Sequence, residues 1–129
     1  MANPFSDQEK FMQACDQTIG EYNQIQYDMY LKLIREEYDE LVSAMLDADA
    51  VEQLDALIDI LVVTIGAIHS MGADAEGAWR EVMRSNFAKI GDNGKVSKRD
   101  DGKVLKPQGW TAPNLKPFLK KTATFNKFS

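Results

Sequence analysis

From Ile25 to Ser70 apolar residues recur at steps of three and four, and one polar triplet, Asp47-Ala48-Asp49, breaks the repeat. That spacing is the period of a helix with one buried face. It predicts a first long helix from about Ile25 to Leu46, marked by Met29, Tyr30, Leu33, Ile34, Leu41 and Met45. No proline or glycine interrupts it. Asp49, with Glu52 three residues on, predicts the cap of a second helix running to about Ser70. Leu54, Leu57, Ile58, Leu61, Val62 and Ile65 mark its apolar face, and residues 60–68 are apolar nearly all round. Such a helix is expected at the centre of a helical bundle, antiparallel to its neighbour across the short break.

Two shorter helices flank this pair. Ser6-Asp7-Gln8-Glu9 has the form of a capping box, with Ser6 as N-cap, before a helix carrying Phe11, Met12, Cys15 and Ile19 and ending near Gly20. Met71-Gly72-Ala73 reads as a turn, and Asp74 as the cap of a helix from Ala75 to about Lys89 with Trp79, Val82, Met83 and Phe87 turned inward. Gly91-Asp92-Asn93-Gly94 stops it. Beyond, Asn93-Gly94 and Asp101-Gly102 predict turns of a small hairpin or ordered loop, with a loose end after about Leu119. The expectation is an all-α chain of one domain, 1–129, with a helical body at about 6–89 and a basic loop and tail at about 90–129.

Several chemistries are set aside early. The single cysteine, Cys15, excludes an internal disulfide and a cysteine zinc cluster, and reads as a small core or partly buried residue. The single histidine, His69, sits at a helix end, where capping or packing is its ordinary use. The apolar run Ile60–Ile68 is too short to span a bilayer. With no disulfide framework and no signal peptide, a cytoplasmic protein is expected, in the host cytoplasm if phage-encoded, with no membrane partner.

Charge is split along the chain. Residues 1–89 hold six Lys/Arg against seventeen Asp/Glu, a net −11, while residues 90–129 hold nine against three, a net +6. One reading is a solvated acidic body with a tail drawn back by charge attraction. The other is a cation site in the body and a polyphosphate clamp in the tail. The acidic body, and a tail without interleaved aromatics, argue against nucleic acid as a partner.

The acids are ordered. Glu36, Glu37 and Glu40 share a face of the first long helix, and Glu52, Asp55 and Asp59 share a face of the second. Antiparallel packing would bring the two groups together. Converging carboxylates require compensation, and a hard divalent cation with oxygen ligands supplies it. Asp59, between Ile58 and Ile60, is the acid least suited to a solvated face, so a ligand or supporting role is expected for it. Asp39 reads as solvated, and Asp47 and Asp49 as loop and cap. A charged solvent face remains the competing explanation of the whole pattern.

The same residues resemble the MazG-like all-alpha nucleotide pyrophosphohydrolase superfamily. Its Glu-Glu-x-x-Glu signature matches Glu36-Glu37-Tyr38-Asp39-Glu40, and its Glu-x-x-Asp matches Glu52-Gln53-Leu54-Asp55 after a short, eleven-residue spacer. Arg84-Ser85-Asn86-Phe87-Ala88-Lys89 and the stretch from Asp101 to Trp110 look like small phage-type members. The resemblance, over about residues 10–115, implies a four-helix-bundle-like fold with a C-terminal extension, assembled as a dimer or tetramer. It implies hydrolysis of a nucleoside triphosphate to the monophosphate and diphosphate with two or more Mg2+ ions, for which Mn2+ substitutes. It assigns Glu37, Glu40, Glu52 and Asp55 to the metal and gives Glu36, Glu37 and Glu40 the catalytic positions, Glu36 holding a further metal or positioning water. Arg84, Lys89, Lys103 and Lys106 are implied phosphate contacts. Asn86 is placed on sugar or phosphate, and Trp110 over the base or in packing.

Base choice is less defined. Asn23, Gln24 and Gln26 precede the first acidic helix and read either as base-edge contacts or as a polar inter-helix loop. A related group, MazZ, acts on dGTP and GTP, which makes guanine nucleotides the leading expectation. House-cleaning of other dNTPs such as dUTP is the alternative substrate reading, and a non-enzymatic helical interaction module the alternative class.

Overall fold

A computed structural model describes residues 3–120. It is all-helical: α1 (Pro4–Ala14), α2 (Gln24–Leu46), α3 (Ala50–Ser70) and α4 (Ala75–Phe87), followed by one 3-10 turn, Lys116–Phe118. No strand forms among the described residues. Ile90 bridges Val96, and Lys98 bridges Val104, as single antiparallel pairs across the two expected turns. The expected loose end lies almost wholly outside the described residues. No single described helix is long and apolar enough to cross a membrane.

Local chemistry accounts for the helix ends. The first capping box is real but sits three residues earlier than expected. Asn3 is the N-cap, its side chain accepting from Ser6 N–H, and Ser6 answers from the third helical position, with Pro4 in the first turn. The helix also stops sooner, at Ala14, because Asp16 turns left-handed at φ 57° well before Gly20. Asn23 caps α2 by accepting from Gln26 N–H, and Asp49 caps α3 by accepting from Glu52 N–H.

The described residues form two compact units, one of residues 3–75 with 119–120, the other Glu76–Phe118. The division falls at the start of α4, between Ala75 and Glu76. In the first unit α2 and α3 pack closely, and α1 lies on α3. The α2–α3 approach depends on Gly66, where a Cβ would stand 2.3 Å from Tyr30 Cε1. Gly72 is required twice over. Its φ is +72°, and a Cβ there would meet the Glu21 and Tyr22 backbone at 2.8 Å.

The core is Met12, Tyr30, Val63 and Ala67, with Ile19, Leu31 and Ile34 against it. A buried amide, Gln26, joins three segments: it accepts from Thr18 N–H and donates to the Thr18 carbonyl and to Ser70 Oγ. His69 is buried and its Nε2 donates to the Phe5 carbonyl at 2.8 Å, so its role is packing α1 onto α3.

Other expected burial does not occur. Leu54, Leu57, Ile58 and Leu61 are 48–63% exposed, so the N-terminal half of α3 is not a core helix. Met45, Phe11 and Cys15 are exposed as well. In the second unit Trp79 and Phe87 are exposed, and only Val82 and Met83 of the expected inward set are partly covered.

Candidate active site

Glu36, Glu37 and Glu40 sit one turn apart on α2, and Glu52, Asp55 and Asp59 on α3, because the triplet 47–49 folds the second helix back along the first. Ala48 takes the left-handed conformation at φ 53° to make that tight reversal. The structure brings Glu37, Glu40, Asp55 and Asp59 within electrostatic reach of one another. Glu37 is half-buried, and its Oε2 is shielded from solvent without a hydrogen-bond partner among the described residues. Burial pushes the Glu37 carboxyl up to about 7. Proton sharing with Glu40 and the charges of Glu40, Asp59 and Asp55 add to the effect. Asp59 is also half-buried and raised, first by burial and then by Asp55 and Glu40. Asp59 thus belongs to the cluster.

A cleft of about 460 Å³ opens beside it, lined by Glu40, Glu52 and Asp55 and also by Asp39, Asp47 and Asp49. By sequence these last three are expected to be solvated, loop or cap residues. Asp49 does cap α3, yet all three face the same cleft. Glu36, Glu40, Ser43 and Asp47 follow one another at steps of four, three and four, so a helical stripe would have identified Ser43 and Asp47 as cleft residues. Glu36 is exposed.

Among the described residues, no three acidic side chains are drawn together into a ready-made cage. The donor set nevertheless suits a hard cation. All ligand atoms are carboxylate oxygens, one buried oxygen lacks a partner, and magnesium keeps several waters rather than requiring a full protein cage. Glu37, Glu40, Glu52 and Asp55 are the residues that could hold it.

The second unit has its own organisation. Trp110 Nε1 donates to the Ser85 carbonyl at 2.7 Å. Glu81 accepts from Arg84 at 2.8 Å and from Asn114 N–H at 2.7 Å, and Arg84 also reaches the carbonyls of Thr111 and Ala112. These bonds fasten the segment 110–114 to α4. The sequence gives no sign of Glu81's link to Asn114, because the two lie thirty-three residues apart. The Lys89 and Lys106 ammonium groups stand 5.3 and 4.7 Å from the Trp110 ring centroid. Lys89 also donates to Asn86 Oδ1, and Lys103 is exposed. Arg84 and Trp110 therefore have structural partners in this unit, whereas the lysine ammonium groups rest on an aromatic face.

The polar residues before α2 are engaged too. Gln26 is consumed by Thr18 and Ser70, and Gln24 donates to Asp28. Asn23 donates one amide hydrogen to Thr18 Oγ1 and caps α2 through its oxygen.

The family described as phosphoribosyl-ATP pyrophosphohydrolase matches residues 8–86, which take in most of α1, all of α2 and α3 and nearly all of α4. No curated protein matches the chain.

Proposed function

The chain belongs to the phosphoribosyl-ATP pyrophosphohydrolase family, and from that premise we propose that it is a magnesium-dependent nucleoside triphosphate pyrophosphohydrolase. In this reading water attacks the α-phosphorus and the α–β anhydride bond breaks, giving a nucleoside monophosphate and diphosphate. Guanine nucleotides are the leading substrates. The observation that carries the proposal is the unpartnered, buried Glu37 Oε2 among Glu40, Asp55 and Asp59. Acids so placed raise one another's pKa and call for a cation.

Bound magnesium would acidify water and neutralise charge on the polyphosphate. Glu37, Glu40, Glu52 and Asp55 would hold it. Asp59 keeps Asp55 and Glu37 in a charged neighbourhood, and Glu36, exposed on the same helix, is left to position water. Lys89, Lys103 and Lys106 attract the triphosphate by charge. No covalent nucleophile is needed. His69 is engaged in packing, and Cys15 caps the C-terminal end of α1, far along the chain from the acidic cluster.

A second copy of the chain is part of the proposal. Val51, Leu54, Ile58 and Leu61 make one exposed stripe on α3, the kind of surface that marks an interface. The test is diphosphate release from each of the common (d)NTPs with Mg2+ and with a chelator, alongside light scattering. Metal-independent release, or none from any nucleotide, would refute the assignment.

A further inference from the structure

The acidic cleft has charges of one sign on both walls. Asp39, Glu40 and Asp47 come from α2 and its C-cap, and Asp49, Glu52 and Asp55 from the cap and first turns of α3. Like charges across a gap push the two helices apart. One hydrogen bond crosses the same gap. Gln53 donates from Nε2 to the Ala44 carbonyl at 3.4 Å. Gln53 is half-buried, Ala44 is buried, and Ala44 itself lines the cleft.

The Ala44 carbonyl is a firm anchor. Ala48, left-handed at φ 53°, donates its N–H to the Met45 carbonyl, and Asp49 N–H takes the Ala44 carbonyl at 3.0 Å. This is the bonding that closes a helix on a left-handed residue. Asp49 in turn caps α3 by accepting from Glu52 N–H. The two lone pairs of one carbonyl therefore take donors from the break and from the first turn of α3. At the far end of the helix pair Gln26 Nε2 donates to Ser70 Oγ at 2.9 Å, so an amide ties each end. Gln53 is the neutral donor within Glu52-Gln53-Leu54-Asp55. A third acid in its place would add repulsion where the amide adds a tie.

We propose that Gln53 is a positioning residue for the metal site. Its bond to the Ala44 carbonyl holds Glu52 and Asp55 at a set distance from Glu40 before a cation arrives. Among the described residues the acids form no ready-made cage, so the gap between the helices decides whether one cation is reached from both walls. Gln53 acts through its neighbours Glu52 and Asp55 and does not itself touch the cation. The inference rests on the magnesium reading of the acidic site.

The test is Mg2+ binding by calorimetry, with kcat and half-saturating Mg2+ for diphosphate release beside it. Gln53→Met keeps an unbranched side chain and removes the donor. It is expected to weaken Mg2+ binding about 10-fold, as loss of an outer partner of metal ligands does. Half-saturating Mg2+ should rise by the same factor, with kcat at saturating Mg2+ near the parent value. Gln53→Glu adds a negative charge beside the ligands but also lacks the donor, and it too is expected to bind Mg2+ more weakly. Gly66→Ala loosens the pair at Tyr30 and is expected to lower the melting temperature while keeping Mg2+ affinity. Parent-like or tighter binding in either Gln53 variant would overturn the role. So would an equal loss in Gly66→Ala, since loosening anywhere in the pair would then suffice. If Gln53→Met does not fold, Gln53→Glu decides the same question. A parent protein that binds no Mg2+ overturns the metal reading as well, whereas parent binding that both Gln53 variants retain overturns this inference alone.

Discussion

Glu37 stands one helical turn from Glu40 on α2, with its Oε2 out of solvent and the charges of Asp55 and Asp59 facing it from α3. Its carboxyl is raised from 4.5 to about 7. Between those values the folded chain binds a proton that the unfolded chain releases. The contribution is complete below about 4.5 and is lost as pH rises through about 7. Metal-free protein is therefore expected to melt at a lower temperature at pH 8 than at pH 5.5, with Mg2+ recovering much of the difference. Calorimetric melting across this range checks it. A melting temperature that rises with pH in the metal-free protein contradicts the assignment.

Glu40→Gln and Asp55→Asn keep side-chain shape and remove one negative charge each. Without metal, both variants are expected to be at least as stable as the parent, because like-charge repulsion is relieved. Diphosphate release is expected to fall by several orders of magnitude in each, since metal positioning and charge neutralisation are lost together. Parent-like turnover in either variant would remove that residue from the metal site.

Gly66→Ala introduces a Cβ 2.3 Å from the Tyr30 ring. The α2–α3 approach must open or the ring must shift, at a cost of about 1–3 kcal/mol. Urea denaturation measures it. Adding Tyr30→Leu is expected to restore part of the loss, and no restoration would place the strain elsewhere.

Lys103 and Lys106 are exposed, and Lys106 lies on the Trp110 ring. Replacing both with alanine is expected to raise KM for the triphosphate several-fold and leave the melting temperature within a degree or two, as exposed charges contribute little to stability. Trp110→Phe is the contrasting change. It removes the bond to the Ser85 carbonyl, at a cost of about 1 kcal/mol. Limited proteolysis of the segment after α4 is expected to quicken in that variant. Equal digestion rates would show that the bond does not hold the segment.

Helix α2, the break at 47–49 and helix α3 were legible in the sequence because periodicity and caps are local. Asn23 and Asp49 each bond a backbone N–H three residues away, and the pairs Glu37/Glu40 and Glu52/Asp55 follow from a spacing of three within each helix. The tertiary structure alone decided which faces those helices cover. Leu54, Ile58 and Leu61 have the periodicity of a core stripe yet stand exposed, because α2 packs on the opposite side of α3, where Ala56 and Val63 are buried. Asp39 and Asp47 belong to the acidic cleft only because α3 folds back beside them. Gln17 gains its oriented amide from Tyr30, thirteen residues away, and α4 joins the C-terminal segment through Glu81 and Asn114, thirty-three residues apart. Hydrogen bonds within one turn depend on neighbouring residues and are encoded locally. Burial and electrostatic coupling between helices depend on which surfaces meet, which a one-dimensional pattern does not specify.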